Sequence, residues 1–228
     1  MYQGTETRHT ATAEICERIW LSIAEKKLRP GTRLKEEELS EVFQVSRARV
    51  RQVLSALESD GLVTILPNRG AFVAEPDVNE ARDVLHVRKL VEERIVEHVV
   101  ARVTDDEIAQ LDAHVAQERD AAASNDRSAT IKLSGGFHLL LAELSGSTFL
   151  YGILHDLISR SSLISVIYRR TELHDCGPDE HESLIDCIKA RDNDGARAMM
   201  HAHLQHIEDD LDLEIEDTSL RDLRQVFG

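Results

Sequence analysis

The chain has 228 residues, of which 42% are hydrophobic, 4% aromatic and 30% charged, and its net charge is −15. This length allows one large or two modest domains, and the low aromatic content is typical of helices packed through leucine, isoleucine and valine. The sequence shows no apolar run of membrane-spanning length, no signal peptide at its start and only three scattered cysteines. We therefore expect neither a membrane span nor a disulfide framework, and we expect a cytoplasmic protein.

The net negative charge of the chain comes entirely from its second part. Residues 1–76 hold 11 lysines and arginines against 11 acidic residues, whereas residues 77–228 hold 16 against 31. We therefore predict two domains that divide near residue 76. The acidic second domain would repel a polyanion such as DNA and orient it toward the first domain, with steep salt dependence from few phosphate contacts.

The first two predicted elements are helices. Residues 1–9 lack periodicity and are predicted to form an arm, whereas apolar residues recur at helical spacing over residues 10–27. Residues 36–43 predict a short second helix, and only two residues separate its end from the start of a third. Two helices joined this closely predict a helix-turn-helix.

The third helix carries three arginines in five residues. Ser46 stands at the N-cap position, so Arg47 and Arg51 begin the helix and share one side of it. Arg47 and Arg49 are candidates for contacts to base edges, and Arg51 and Ser46 for contacts to the DNA backbone. The apolar face of the helix consists of Val50, Val53, Leu54 and Leu57.

A β-hairpin is predicted after this helix. Residues 62–66 and 71–74 have strand character, and the turn between them ends in Arg69 and Gly70. Arg69 at the tip is a candidate for a phosphate contact, and Gly70 would let the tip approach the DNA backbone.

The ordered motifs of residues 10–76 resemble the winged-helix domain of the GntR family of bacterial transcription regulators. Two positions depart from the family pattern. Gln44 replaces the usual turn glycine, at a cost of roughly 1 kcal/mol if its backbone is left-handed, and Ala48-Arg49 replaces the usual Thr-Pro. The motifs that carry the resemblance are Arg29-Pro-Gly-Thr-Arg-Leu34, Leu39-Ser-Glu41, Val45-Ser-Arg47, Val50-Arg-Gln-Val-Leu54, Asp60-Gly-Leu-Val63 and Asn68-Arg-Gly-Ala-Phe-Val73.

Every strong signal in the second domain is helical. Asp77 and Glu80, three residues apart, predict a capping box at its start. The pattern predicts an all-helical bundle of about six helices with its own core. The predicted helices cover residues 78–102, 104–123, 126–145, 148–168, a segment from 177 onward, and 194–213. The apolar face of the first of them is predicted from Val84, Val87, Leu90, Val91 and Ile95.

Three histidines lie on the apolar faces of three different helices in this bundle. His138, His181 and His203 each alternate with aliphatic residues at helical spacing, so all three are predicted to point inward. They would converge on a divalent metal, with zinc or nickel as the expected ion. The alternative interpretation is that each is a hydrogen-bonded core histidine without a metal.

Residues 78–213 resemble the FadR-type ligand-binding (FCD) domain of the same regulators, through Arg88-x-x-Val-Glu92, Phe137-His138, Glu180-His181 and Met200-x-x-His203-Leu. The resemblance implies a metal held by an aspartate and three histidines. Ser134 stands at the aspartate position, so we expect weaker metal binding, or an open position taken by water, an effector carboxylate or another group such as Cys176.

Regulators of this group typically sense small organic acids. Arg88, Ser134 and Arg160 are the candidate effector contacts, because a guanidinium binds a carboxylate through two parallel hydrogen bonds. The alternative for each arginine is a structural ion pair four residues away, Arg88 with Glu92 and Arg160 with Asp156.

These observations predict a homodimeric, ligand-controlled transcription regulator that binds an inverted repeat in double-stranded DNA. Repression is expected rather than activation. One recognition helix reads too few base pairs for genomic specificity, and the resemblance also implies a dimer. A metal-dependent enzyme with a three-histidine site is the competing interpretation, although no hydrolase motif accompanies the histidines. A DNA-binding scaffold without a ligand is the third.

Overall fold

The computed structural model describes residues 6–170 and 177–214. The amino-terminal part is a winged helix-turn-helix of three helices and a small antiparallel sheet, as predicted. Its elements are α1 (Glu6–Ala24), β1 (Arg33–Leu34), α2 (Glu36–Phe43), α3 (Arg47–Ser59), β2 (Val63–Leu66) and β3 (Gly70–Val73).

The sheet has three strands and not the two that the sequence predicted. Strand β3 lies between β1 and β2 and pairs antiparallel with both. Strand β1 is only two residues long, so it has no periodicity from which it could be predicted. Helix α1 begins at Glu6, so the prediction of an arm is wrong for residues 6–9, and residues 1–5 lie outside the described part of the chain.

The turn between α2 and α3 contains a glutamine in a left-handed conformation. Gln44 has φ 53° and ψ 43°, and its backbone N–H donates to the last turn of α2. This is the conformation that glycine adopts most readily, because a Cβ atom crowds the neighbouring carbonyl there. The departure at Gln44 is therefore tolerated at a cost in stability.

Replacing Gln44 by glycine is expected to raise the free energy of unfolding by about 1 kcal/mol, because it relieves this strain. Denaturant unfolding would measure the change. Gln52 lies exposed within α3, so Gln52→Gly is a matched control that should cost about 1 kcal/mol. Equal destabilisation by both substitutions would contradict the account of Gln44.

The carboxyl-terminal part is an all-helical bundle of six helices within the described residues. Thr104 and Glu107 form a reciprocal capping box at the start of the second of them. The last helix ends at Asp209, not at residue 213 as predicted, because Leu211 forms an isolated bridge with Arg169. The six helices are α4 (Val78–Arg102), α5 (Asp105–Ala123), α6 (Arg127–Leu144), α7 (Thr148–Tyr168), α8 (Gly177–Lys189) and α9 (Asn193–Asp209).

Helix α7 belongs to the bundle and also contacts the winged helix. Leu163 is buried in the same apolar cluster as Ile19 of α1 and Leu57 of α3. The Tyr168 hydroxyl donates to the backbone oxygen of Pro76, 2.9 Å away, in the segment that joins β3 to α4. The two parts of the chain therefore share packing and are not held together by a linker alone.

Two residues predicted for the apolar face of α4 lie at the surface. Val87 is 41% exposed and Leu90 is 57% exposed, whereas Val84 and Ile95 are buried. The helix therefore has an inner apolar face and a second, exposed apolar strip. None of the described helices is long and apolar enough to cross a membrane.

Candidate DNA interface and metal centre

The start of α3 is ordered by its N-cap. The Ser46 hydroxyl accepts a hydrogen bond from the backbone N–H of Arg49 at 3.2 Å, as the sequence predicted. The four apolar residues of α3 predicted to face inward are all buried. Burial of that face leaves the side chains of Arg47 and Arg51 exposed on the other side of the helix.

The three arginines of α3 have different partners. Arg47 forms an ion pair with Glu37, and the Arg51 Nε donates to Glu36 at 3.0 Å. Both glutamates belong to the first turn of α2. A guanidinium nitrogen of Arg49 donates instead to the hydroxyl of Thr12 on α1, 2.8 Å away.

A groove of about 690 Å³ separates α2 and α3 from the wing. Arg69 lies at the turn of the wing, with its guanidinium 5.9 Å from the centre of the Phe72 ring. Gly70 follows with φ +97°, a conformation that any other residue would adopt only under strain. Among the residues that line the groove are Arg33, Glu36, Glu37, Arg47, Arg51 and Gly70.

In the bundle, the three histidines predicted to converge do so. His138, His181 and His203 are buried, and one ring nitrogen of each lies within 4.8 Å of the others. The Nε2 atom of His203 is 3.3 Å from that of His181 and 3.3 Å from that of His138. Helices α6, α8 and α9 each supply one of the three rings.

A carboxylate holds the other ring nitrogen of each histidine. An ionised carboxylate only accepts hydrogen bonds, so each Nδ1 donates: His138 to Glu92 at 2.5 Å, His181 to Glu118 at 2.8 Å and His203 to Glu180 at 2.6 Å. With the proton on Nδ1, each Nε2 of a neutral ring presents a lone pair toward the other two. The sequence analysis did not identify these carboxylates as part of the centre.

Burial keeps His138 and His181 neutral. It lowers the pKa of His138 to about 3, against the attraction of Glu92, and it lowers the pKa of His181 well below 6.5, with His203 adding to the effect. Burial opposes ionisation of Glu92 as well, but His138 and Arg88 lower the pKa of that carboxyl to about 2. At neutral pH the rings of His138 and His181 are therefore uncharged while Glu92 is ionised.

These shifts make the stability of the metal-free protein depend on pH. Below pH 6.5 the unfolded chain protonates its histidines, whereas folded His138 resists protonation until about pH 3. The free energy of unfolding should therefore be greatest above pH 6.5 and fall as the pH drops from 6.5 toward 3. The expected fall is about 1.4 kcal/mol per pH unit for each such histidine.

Denaturant unfolding between about pH 7 and pH 5, above the usual range of glutamate, would measure this slope. His138→Asn should flatten it. His86→Ala is the matched control and should leave it unchanged, because His86 lies exposed on α4. Equal slopes in wild type and His138→Asn would contradict the assignment.

The donor set fits a divalent metal. Three neutral rings that carry their proton on Nδ1 would direct three lone pairs at one another, and a cation placed among them would remove that repulsion. Nitrogen ligands bound to zinc at about 2.0–2.1 Å in a tetrahedron lie about 3.3 Å apart, which is the separation of the His203 Nε2 atom from each of the other two. Hydrogen bonds from the outer ring nitrogen to carboxylates are typical of metal-binding histidines.

The predicted effector contacts lie in different places. Arg88 is buried, and its Nε donates to Glu92 at 2.6 Å, so it supports the carboxylate behind His138. Ser134 is half-buried on α6, one turn before His138. Cys176, considered as a substitute ligand, lies outside the described residues.

Arg160 lies at the contact between the bundle and the winged helix. It pairs with Glu80 at 3.2 Å, not with Asp156 as the alternative supposed. Its guanidinium lies against Gly61, where an added Cβ would come within 2.4 Å of it. Gly61 has φ +72°, so both the backbone and this contact require glycine there.

Comparison with known families identifies both parts of the chain. The model described as "FCD domain" matches residues 83–206, and the model described as "Bacterial regulatory proteins, gntR family" matches residues 11–73. The chain belongs to the gntR family of bacterial regulators and carries an FCD domain. It is accordingly a DNA-binding transcription regulator, and the interpretation as an enzyme is wrong.

Similar proteins of this family are also regulators. The HTH-type transcriptional repressor RspR of Escherichia coli (strain K12) is 26% identical over 200 residues, which cover 86% of this chain and 82% of that protein. The HTH-type transcriptional regulator LutR of Bacillus subtilis (strain 168) is 28% identical over 204 residues, with 80% of this chain and 93% of that protein covered.

Solved structures share the fold. A GntR transcriptional regulator from Rhodococcus sp. RHA1 has a TM-score of 0.73 at 22% identity and covers 88% of this chain and 96% of its own. Escherichia coli McbR/YncC has a TM-score of 0.73 at 19% identity, with 87% and 97% covered.

Proposed function

We propose that this regulator is a repressor that binds a small organic acid at a divalent metal in its bundle. Binding of the acid would control its affinity for DNA. The observation that carries the proposal is the group of three buried Nε2 atoms, each on a histidine whose Nδ1 donates to a carboxylate. An arrangement that leaves three lone pairs facing one another serves a cation better than it serves packing.

In this proposal His138, His181 and His203 hold zinc or nickel. The metal, when bound, supplies a positive charge and open coordination positions that attract a carboxylate. Ser134, at the position of a fourth protein ligand, is a poor ligand because it is neutral, and this leaves room for the effector or a water. Arg88 acts through Glu92, which it holds in place behind His138. Arg160 as an effector contact stays a prediction.

The DNA contacts come from α3 and the wing. We assign Arg47 and Arg49 to base edges in the major groove, and Arg51, Ser46 and Arg69 to the backbone, with Gly70 allowing close approach of the wing. The exposure of Arg47 and Arg51 beside the groove of about 690 Å³ supports the assignment. A homodimer would place two such helices on an inverted repeat, and the exposed Val87 and Leu90 offer an apolar surface for association of two copies.

Signal transfer is proposed to run through α4 and α7. Helix α4 follows the wing after the short segment that joins it to β3, and it carries Glu92 behind a proposed metal ligand. Glu80 on the same helix pairs with Arg160, whose guanidinium lies against Gly61 of the winged helix. An effector that favours one position of α4 would therefore favour one arrangement of the DNA-binding parts.

A thermal-shift screen tests the proposal. Metal-free protein and protein loaded with zinc or nickel would each be mixed with a panel of small carboxylic acids, and each acid that shifts the melting temperature would be added to a DNA-binding titration. We expect at least one acid to stabilise the metal-loaded form and to change DNA affinity by about 5- to 150-fold. If no acid stabilises the protein, or if no stabilising acid changes its affinity for DNA, ligand control is refuted and a DNA-binding scaffold without a ligand is favoured.

A further inference from the structure

The first turn of α2 is acidic and faces the arginines of the recognition helix. Glu36, Glu37 and Glu38 follow one another there. Glu36 accepts from Arg51 at 3.0 Å, and Glu37 forms an ion pair with Arg47. Two residues proposed to contact DNA are therefore already paired with carboxylates in the protein alone.

These ion pairs contribute little to stability. The Arg47 and Glu37 side chains are 58% and 69% exposed, and those of Arg51 and Glu36 are 66% and 41% exposed. Ion pairs this exposed are weak, because water screens the charges and two long side chains lose freedom. Their position is more informative than their strength, since both line the groove that separates α2 and α3 from the wing.

The position matters because phosphates and carboxylates compete for the same cations. A duplex backbone that takes Arg47 must displace Glu37 and then tolerate a carboxylate beside its phosphates. The winged helix has no surplus of positive charge to offset this, since residues 1–76 hold equal numbers of basic and acidic residues. Binding through phosphates alone is therefore disfavoured.

An operator offers more than phosphates. Base edges in the major groove present acceptors to a guanidinium, and the amino group of cytosine can donate to a freed carboxylate. A duplex with a matching sequence therefore offers hydrogen bonds that compensate for the broken ion pairs, whereas a random duplex does not.

We propose that Glu36 and Glu37 are specificity-determining residues that suppress binding to non-operator DNA by competing with its phosphates for Arg51 and Arg47. This inference rests on the proposed contacts of α3 with DNA. It assigns to the acidic turn of α2 a role in discrimination between sequences.

The test compares Glu37→Gln and Glu36→Gln with wild type on two probes. One probe is a random-sequence duplex, and the other is the duplex that wild type selects from a random library. Each substitution is expected to raise affinity for the random duplex roughly 3- to 10-fold, and to steepen the dependence of log affinity on log salt by about one unit, because one more arginine is free to neutralise a phosphate. Affinity for the selected duplex should rise by less.

Glu41→Gln is the matched control, because Glu41 is exposed on the same helix and its loss changes the net charge equally. It should change random-duplex affinity less than either test variant. The inference is overturned if the test variants bind the random duplex no more tightly than Glu41→Gln. It is also overturned if they lose affinity for the selected duplex, because that result would mean that Glu36 and Glu37 only hold the arginines in position for DNA. Failure of wild type to select any duplex would instead refute the proposed DNA contacts.

Discussion

Replacing both His138 and His203 by alanine is expected to abolish stoichiometric binding of zinc or nickel. The double substitution removes two of the three converging Nε2 atoms, and one imidazole cannot retain the ion. Metal analysis after dialysis would measure the loss. Wild type should also gain about 2.7 kcal/mol of stability when free metal exceeds its dissociation constant a hundredfold, whereas the double variant should gain nothing.

Two further variants separate this effect from general damage to the bundle. His86→Ala combined with His201→Ala removes two histidines that lie exposed on α4 and α9 and should leave metal binding intact. Glu92→Gln keeps all three rings but weakens the acceptor behind His138, so metal affinity should fall by about 10- to 100-fold. Wild-type metal content in the double alanine variant would reject the three-histidine site.

The second large effect is expected at the DNA surface. Arg47→Ala should weaken binding of the selected duplex by about 1–3 kcal/mol and relax sequence preference at one position, because a base-edge contact is lost. Arg51→Ala should weaken binding of the selected duplex without changing its sequence preference and should reduce the salt dependence by about one unit, because a phosphate contact is lost. Fluorescence anisotropy over a series of salt concentrations would distinguish the two.

Arg94→Ala is the control for charge, since Arg94 is 60% exposed on α4 and lies outside the winged helix. It should leave the affinity for the selected duplex near the wild-type value. If Arg47→Ala binds as tightly as Arg94→Ala, Arg47 does not contact DNA.

The helices were predictable because caps and apolar spacing are local features. The pattern predicted a helix over residues 148–168, and α7 has those bounds; the box of Thr104 and Glu107 likewise fixed the start of α5. Strand β1 was missed because two residues have no pattern, and the exposed strip of α4 was assigned to the core because helical spacing does not tell which apolar side meets a neighbour.

The candidate metal centre was predicted only in part, since histidines on apolar faces are visible in the sequence but spacing alone does not pair them with particular glutamates. One signal was available: Glu92 and Glu118 lie on the buried faces of α4 and α5, where an unpaired carboxylate would be costly. The pairing of Arg47 and Arg51 with α2 was beyond reach, because it depends on the angle between two helices.

Selection of genomic DNA fragments tests the central claim most directly. Purified protein would be mixed at low ionic strength with fragments of the genome that encodes it, and retained fragments would be sequenced for wild type and for Arg47→Ala. We expect wild type to retain, saturably, fragments that share an inverted repeat, and Arg47→Ala to lose that enrichment. Retention of no fragment by wild type, or equal enrichment by both proteins, would contradict DNA recognition through α3.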